Sequence, residues 1–294
     1  MIFGKLGSMR DGVLLRFTGM AAGLLGSATV ALAEGAGEGH AVPGQMGLQR
    51  GTTPIAHEMH WFHDQLLLPI ITVICLFVLA LLVWVVLKFN EKANPTPSRT
   101  THNSVLEVAW TIIPVLILVV IAIPSFRLLT KQLVLPDADM TLKVTGKQWY
   151  WSYEYPQDQG GGFSFDSLLK PDADLKPGDI RLLAVDNEAV VPVGKTVRVQ
   201  VTAADVIHSF VVQSFGARID AVPGRLNETW FKAEKEGMYY GQCSKICGKD
   251  HAFMPIAFRV VSEQDYAAWL ADAKKKYASN NNAPVAVAAV ESAH

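Results

Sequence analysis

Cys243-Ser-Lys-Ile-Cys247-Gly-Lys-Asp-His251-Ala-Phe-Met254 places two thiols, an imidazole and a thioether within twelve residues, spaced C-x3-C-x3-H-x2-M. Thiolate and thioether are soft donors and imidazole is borderline, so the set suits copper better than calcium, magnesium or manganese. A single blue-copper ion takes one Cys, two His and a weak Met, and here there is one Cys too many. Two thiolates from one loop can instead bridge two copper ions, each completed by one imidazole and one weak axial ligand. That arrangement needs a second His from elsewhere in the chain. The sequence has eight: His40, His57, His60, His63, His102, His208, His251 and His294. Only His208 and His251 fall in the strand-rich region, His208 within Asp205-Val-Ile-His-Ser-Phe-Val-Val212. A C-x3-C pair could also close a small disulfide loop or make half of a Cys2His2 zinc site. His251 has no part in a disulfide, and zinc rarely takes a thioether, so Met254 favours copper.

The loop closes a region with period-two patterning that starts near Met140. Leu142–Val144, Trp149–Tyr155, Leu182–Val185, Thr196–Val201 and Phe258–Val261 read as strands divided by Gly, Pro and Asp. Many short strands with a metal loop near their end predict an all-β Greek-key barrel or sandwich. Glu263–Tyr277 reads as a closing helix, and the low-complexity stretch after it as disordered.

Upstream the chain is of a different kind. It is 50 % hydrophobic over 294 residues, with a mean hydropathy of +0.22, too apolar for a purely soluble protein. Leu66–Leu87 carries no charge over 22 residues, enough to cross about 30 Å of hydrocarbon. Val108–Ile123 spans with its flanks 104–107 and 124–129, and Pro69 and Pro114 are tolerable in membrane helices. The loop between holds Lys88, Lys92 and Arg99 against Glu91, which places it in the cytoplasm and both ends of the mature chain in the periplasm. Lys5, Arg10 and Arg16, the apolar run Phe17–Ala33 and its ending Ala31-Leu-Ala33 predict an export signal cut after Ala33, an uncleaved helix being the alternative. The expected organisation is a signal peptide at 1–33, a periplasmic segment at 34–65 (Gly-rich and mobile in isolation over 34–54), a two-helix hairpin at 66–130, the β domain at 131–272 and a disordered tail at 273–294. Cys75 reads as a small buried hydrophobe of the membrane segment. A net charge of −1 gives no reason to expect a nucleic-acid partner.

The copper loop, His208 and Gly146-Lys-Gln-Trp-Tyr-Trp-Ser-Tyr-Glu-Tyr155 together resemble subunit II of a haem-copper cytochrome c oxidase, of the alpha-proteobacterial and mitochondrial-like type. The resemblance runs from about residue 55 to about residue 270. It implies a two-helix transmembrane hairpin followed by a cupredoxin-like Greek-key β-barrel, anchored in the bacterial inner membrane. It implies the binuclear copper A (CuA) centre, with Cys243 and Cys247 bridging, His208 and His251 terminal, Met254 axial and the Lys245 backbone carbonyl as the remaining ligand. The family usually has Glu at position 245, whose carboxylate also reaches a magnesium or manganese ion at the border with subunit I. Lys245 keeps the carbonyl but offers no carboxylate, so the sequence leaves that second metal site open.

The same resemblance assigns other roles. Trp149 is the residue that receives the electron; aromatics filling a core are the plain alternative for Trp149, Trp151, Tyr153 and Tyr155, which alternate on one predicted strand. Residues 151–190 hold eight acids against three bases, a solvated face or a surface that steers a basic protein; Glu154, Asp166, Asp186 and Asp205 match acids that dock cytochrome c. Glu107 matches a residue at the mouth of a proton channel, or is simply a favourable helix-dipole partner. Asp220 and Arg225 resemble residues at the subunit I border, or form an ordinary turn. The implied partners are subunit I with its haem and CuB, subunit III, cytochrome c and lipid. No C-x-x-C-H is present, so any haem c donor is a separate protein. A quinol oxidase subunit II shares the two-helix plan but characteristically lacks the copper ligands. A membrane-anchored copper chaperone also shows C-x3-C and a distant His, but early in its domain and after a single helix.

Overall fold

The computed structural model describes residues 39–277; the expected signal peptide and the end of the tail lie outside them. Helix α1 (Pro54–Lys88) starts where Thr53 Oγ1 accepts the Ala56 N–H at 3.1 Å and Pro54 takes the first helical position, its missing N–H costing nothing there. It passes through a π-helical stretch at Phe62–Leu67 just before Pro69. Helix α2 (Ser104–Leu133) is capped by the Asn103 side chain, which accepts from the N–H groups of Val105 and Leu106. Both helices are long and apolar enough to cross a membrane, with peak hydropathies of 3.3 and 2.6, and they make this a membrane protein. They are apolar all round, so their surfaces face outward. Cys75 lies on the outer surface of α1, outside the packing of this chain.

The remainder is two packed five-stranded sheets. Strands β1 (Met140–Lys147), β2 (Tyr150–Tyr155), β3 (Phe163–Ser167), β5 (Thr196–Ala203) and β8 (Asn227–Lys232) form one, in the order β3-β2-β1-β5-β8. Strands β4 (Ala189–Pro192), β6 (His208–Val212), β7 (Ala217–Ala221), β9 (Gly237–Cys243) and β10 (Pro255–Val261) form the other, in the order β4-β10-β9-β6-β7. The β1–β5 and β4–β10 pairs are parallel and the rest antiparallel, the mixed topology of a cupredoxin-like sandwich. Strict alternation of buried and half-buried residues along β1 and β5 puts Leu142, Val144, Val197, Val199 and Val201 inside. Aromatic edges lock the layers: Trp151 meets Phe210 at 5.7 Å between ring centroids, and Tyr153 meets Phe258 at 6.0 Å.

Three expectations change here. Leu182–Val185 is no strand: residues 181–183 form a turn with Leu182 at φ 68°, and only Val185 bridges, to Leu169. Asp179, bonded to Lys170 Nζ and the Lys176 N–H at 2.8 Å each, curls that segment into a loop. The segment before α1 is docked, not loose. Tyr240 N–H donates to Gly39 O (2.8 Å), Thr52 N–H to Ser214 O (2.9 Å) and Thr53 Oγ1 to Phe215 O (2.7 Å). Helix α3 (Glu263–Tyr277) runs five residues past the boundary drawn at 272, with Ala273 and Tyr277 buried against the sandwich. The Tyr277 ring stacks on Phe165 at 4.8 Å, which is why those residues belong to the domain and not to a tail.

Candidate metal centre

The loop between β9 and β10 brings its donors to the end of the sandwich where β6 begins. Cys243 closes β9, Cys247 lies in the loop, a short 3-10 turn holds His251, and Met254 directly precedes β10. The two Sγ atoms are 3.9 Å apart, too far for a disulfide. Around them the donors fall into two matched halves. Cys243 Sγ has His208 Nδ1 at 3.9 Å and the Lys245 carbonyl at 3.3 Å; Cys247 Sγ has His251 Nδ1 at 3.5 Å and Met254 Sδ at 3.6 Å. Each sulfur thus has its own imidazole and its own weak donor. That set fits two soft metal ions sharing the thiolates, and it has no place for the hard, all-oxygen shell of magnesium or calcium.

The shell behind the donors is built as carefully. His208 is fully buried, and its Nε2 lies 2.9 Å from Asp205 Oδ1. An ionised carboxylate only accepts, so Nε2 carries the proton and the Nδ1 lone pair is aimed at the sulfurs. Asp205 Oδ2 also takes the Gln148 N–H at 2.6 Å, and Oδ1 its neighbour's, Val206 N–H, at 2.6 Å. Gln148 Nε2 (2.8 Å) and Trp149 Nε1 (3.3 Å) both donate to the Cys247 carbonyl, while Trp151 Nε1 donates to Met254 O at 3.2 Å. Gly146 is needed for close approach: a Cβ there would lie 2.9 Å from His208 Cδ2 and 3.1 Å from the Trp151 ring. Gly248, at φ 125°, would press a Cβ to 2.9 Å from the Trp149 ring.

The two thiols are electrostatically unlike. Burial works against ionising Cys243, but hydrogen bonds with His208, the backbone at Ser209 and Lys245, and His251 outweigh it and bring that thiol down to about 6. Burial and then the neighbouring Cys243 charge push Cys247 up to about 12. One negative charge is comfortable here and two are not, so full ionisation of the pair calls for a cation between them.

Residues 140–261 match the cytochrome c oxidase subunit II periplasmic domain, and residues 41–128 match the transmembrane domain of the same subunit. The probable cytochrome c oxidase subunit 2 of Rickettsia bellii is 52 % identical over 245 residues, covering 83 % of this chain and 90 % of that protein. The chain belongs to the cytochrome c oxidase subunit II family. The Cereibacter sphaeroides subunit 2 is 47 % identical over 271 residues, covering 86 % and 89 % of the two chains; that of Zea mays is 46 % identical over 236 residues, covering 79 % and 90 %. As a cytochrome c oxidase subunit II, the chain is one part of a haem-copper oxidase, and family and donor set together point to copper.

Within this subunit II the six expected copper donors come together, and Trp149 with them. Trp149 does not share a strand face with Trp151, Tyr153 and Tyr155. It sits half-exposed in the β1–β2 turn, because β2 starts one residue later, while the other three fill the core. The four acids expected to dock a partner differ among themselves. Glu154 is paired with Lys143 at 2.9 Å, and Asp166 with Lys147 at 3.6 Å and with Ser152 Oγ. Asp186 accepts the Leu168 N–H at 2.8 Å. Asp205 is committed to His208 and two backbone N–H groups. Glu107 lies in the first turn of α2, roughly 40 Å along the helix from Leu133 at 1.5 Å per residue, and so far from the donors. Asp220 and Arg225 both border one shallow hollow with Arg218 and Asn227. Gln148, Trp151 and Gly146 are the site residues the sequence reading missed. The run Gly146-Lys-Gln-Trp already held them, but which of its atoms reach the loop depends on the β1–β2 turn.

Proposed function

We propose that this chain is the electron-receiving subunit of a proton-pumping terminal oxidase in the bacterial inner membrane. The reading rests on one observation: two sulfurs 3.9 Å apart, each attended by its own imidazole nitrogen and its own weak donor. Cys243 and Cys247 would bridge a copper pair, His208 and His251 would terminate it, and Met254 and the Lys245 carbonyl would be axial. When bound, the pair supplies a one-electron centre whose charge is spread over two metals and two thiolates. The protein's part is to hold the donors still between the two redox states, which the packed barrel and the Asp205–His208 and Trp151–Met254 bonds do. Trp149 offers cytochrome c an indole face at the surface, and its N–H ties that face to the Cys247 carbonyl. Subunit I, with its haem and CuB, takes the electron onward to reduce oxygen to water, with subunit III alongside. Glu107, in the first turn of α2, would take up protons on the cytoplasmic side or serve as the helix-dipole partner there. Both ends of the mature chain would lie in the periplasm, following the Lys88, Lys92 and Arg99 loop. Lys245 itself offers no carboxylate to the border site for magnesium or manganese.

Metal analysis and the visible spectrum of the purified oxidase test the reading. Two coppers in this subunit with a mixed-valence purple spectrum are expected, lost in Cys243→Ser and in Cys247→Ser. One copper in this subunit, or a two-copper spectrum surviving either substitution, would point to a copper chaperone or to a non-bridging site.

A further inference from the structure

The donors of the candidate centre are carried by the second sheet and its loop, but one buried side chain of the first sheet reaches them. Met254 lies between the 3-10 turn at His251–Phe253 and the start of β10. The next residue, Pro255, has no N–H with which to fasten that bend. A fastening comes from across the sandwich, where Trp151 Nε1 donates to Met254 O at 3.2 Å. Trp151 is itself held on β2, opposite Gly146 of β1 and Ser167 of β3. Its ring meets the His208 imidazole edge-on, with centroids 6.0 Å apart, and a Cβ on Gly146 would stand 3.1 Å from the indole. Trp151 and His208 are fully buried and Met254 is 1 % exposed, so water does not compete for the indole N–H. Trp151 thus touches one residue from each half of the donor set. Met254 has its sulfur 3.6 Å from Cys247 Sγ, and His208 its Nδ1 3.9 Å from Cys243 Sγ. The imidazole is already oriented by Asp205. A thioether is a weak axial donor, and its effect on a metal depends on how near the protein holds it.

We propose that Trp151 is a positioning residue for Met254. By tying the Met254 backbone to the first sheet, it sets how closely the thioether stands to the metal pair, and so the reduction potential of the centre. The proposal rests on Cys243 and Cys247 bridging a copper pair with Met254 axial.

The test is potentiometry on the purified oxidase, following the purple band of the copper pair in four forms: unsubstituted, Trp151→Phe, Met254→Leu and the two together. Trp151→Phe removes the N–H and keeps an aromatic ring beside His208. It should retain both coppers and change the oxidised-to-reduced ratio at a fixed poise by about two- to tenfold, the span of a single hydrogen bond. The change should run in the same direction as that of Met254→Leu. In the Met254→Leu background there is no thioether to misplace, so Trp151→Phe should add less than about twofold there. Trp151→Tyr, which also lacks an indole N–H, is read in the same way. Phe258→Leu opens a void elsewhere in the buried core; it should lower the melting temperature and leave the potential in place. An equal shift in both backgrounds, or a shift of the same size from Phe258→Leu, would overturn the proposal, because looseness of the core would then explain it. Loss of the copper pair from both Trp151 variants would overturn it too, making Trp151 a requirement for assembly. So would a Trp151→Phe oxidase with both coppers and an unmoved potential, a result that leaves the copper reading standing. An unsubstituted oxidase without a copper pair would sink both.

Discussion

Asp205 is the residue whose meaning depends most on its neighbours. As one acid among many it belongs to a docking surface; with its carboxylate on His208 Nε2 and the Gln148 N–H it is a positioning group. The two readings separate cleanly. Asp205→Asn should weaken copper retention by about 10- to 100-fold, the usual cost of losing a carboxylate behind a metal-binding histidine, and leave the KM for cytochrome c nearly unchanged. A raised KM with full copper would return Asp205 to docking. Met254 sits on the weak-donor side of the same set, 3.6 Å from Cys247 Sγ. Met254→Leu keeps the volume and the burial, so both coppers should stay and the reduction potential should move. Potentiometry with metal analysis checks both halves of that statement.

At the level of elements, the centre depends on how closely β1 can lie under β6. Gly146 is where the two meet, with His208 Cδ2 2.9 Å from where a Cβ would stand. The imidazole is buried and the Trp151 ring backs it, so neither can move aside freely. Gly146→Ala should cost about 1–3 kcal/mol of stability by overpacking and lower the copper content, read from the melting temperature and metal analysis together. A separate element, the loop 168–188, is held by Lys170 and Asp179, whose hydrogen bond is the chief cause lowering that carboxyl below its ordinary 3.8. A depressed carboxyl contributes stability that is complete above the unfolded value and lost as pH falls through the folded one. The stability advantage of the unsubstituted protein over Lys170→Gln should therefore be present at neutral pH and shrink below about pH 4. Denaturant midpoints measured across that range decide it; an advantage independent of pH would mean that the pair does not hold the loop through charge.

For the whole molecule, the question is how a membrane hairpin carries a β domain without letting it swing. Two kinds of contact tie them, and a third braces the hairpin itself. Thr52 and Thr53 bond to the backbone of Ser214 and Phe215, Trp230 Nε1 donates to Lys131 O at 3.2 Å, and Lys131 pairs with Glu58 across the two helices. Thr53 does two of these jobs at once, as the cap of α1 and as a buried donor to the sandwich. Thr53→Ala should cost about 1–2 kcal/mol in the full chain and increase amide exchange at 52–57 and 214–216, while the copper spectrum stays as it was. Loss of copper in that variant would mean that the membrane junction and the metal centre are one cooperative unit.

Cys243, Cys247, His251 and Met254 are legible in the sequence because they share one short loop, and donor chemistry is a property of residue types and spacing. The two spanning helices are legible for a similar reason, since an uncharged run of sufficient length needs no partner to be recognised. His208 is a candidate from the sequence only by elimination among eight histidines; its Nδ1 is turned to the sulfurs by Asp205, three residues away along the chain but brought beneath the ring by the bend before β6. The pairing of Glu154 with Lys143 and of Asp166 with Lys147 is invisible in a count of charges, because it is set by the register of β1, β2 and β3. The sequence by itself determined what this protein binds with and where it is anchored. Only the tertiary structure decided which charges face outward uncompensated and which carboxylate orients a ligand, because those follow from strand register and turn geometry, which join residues far apart in the chain.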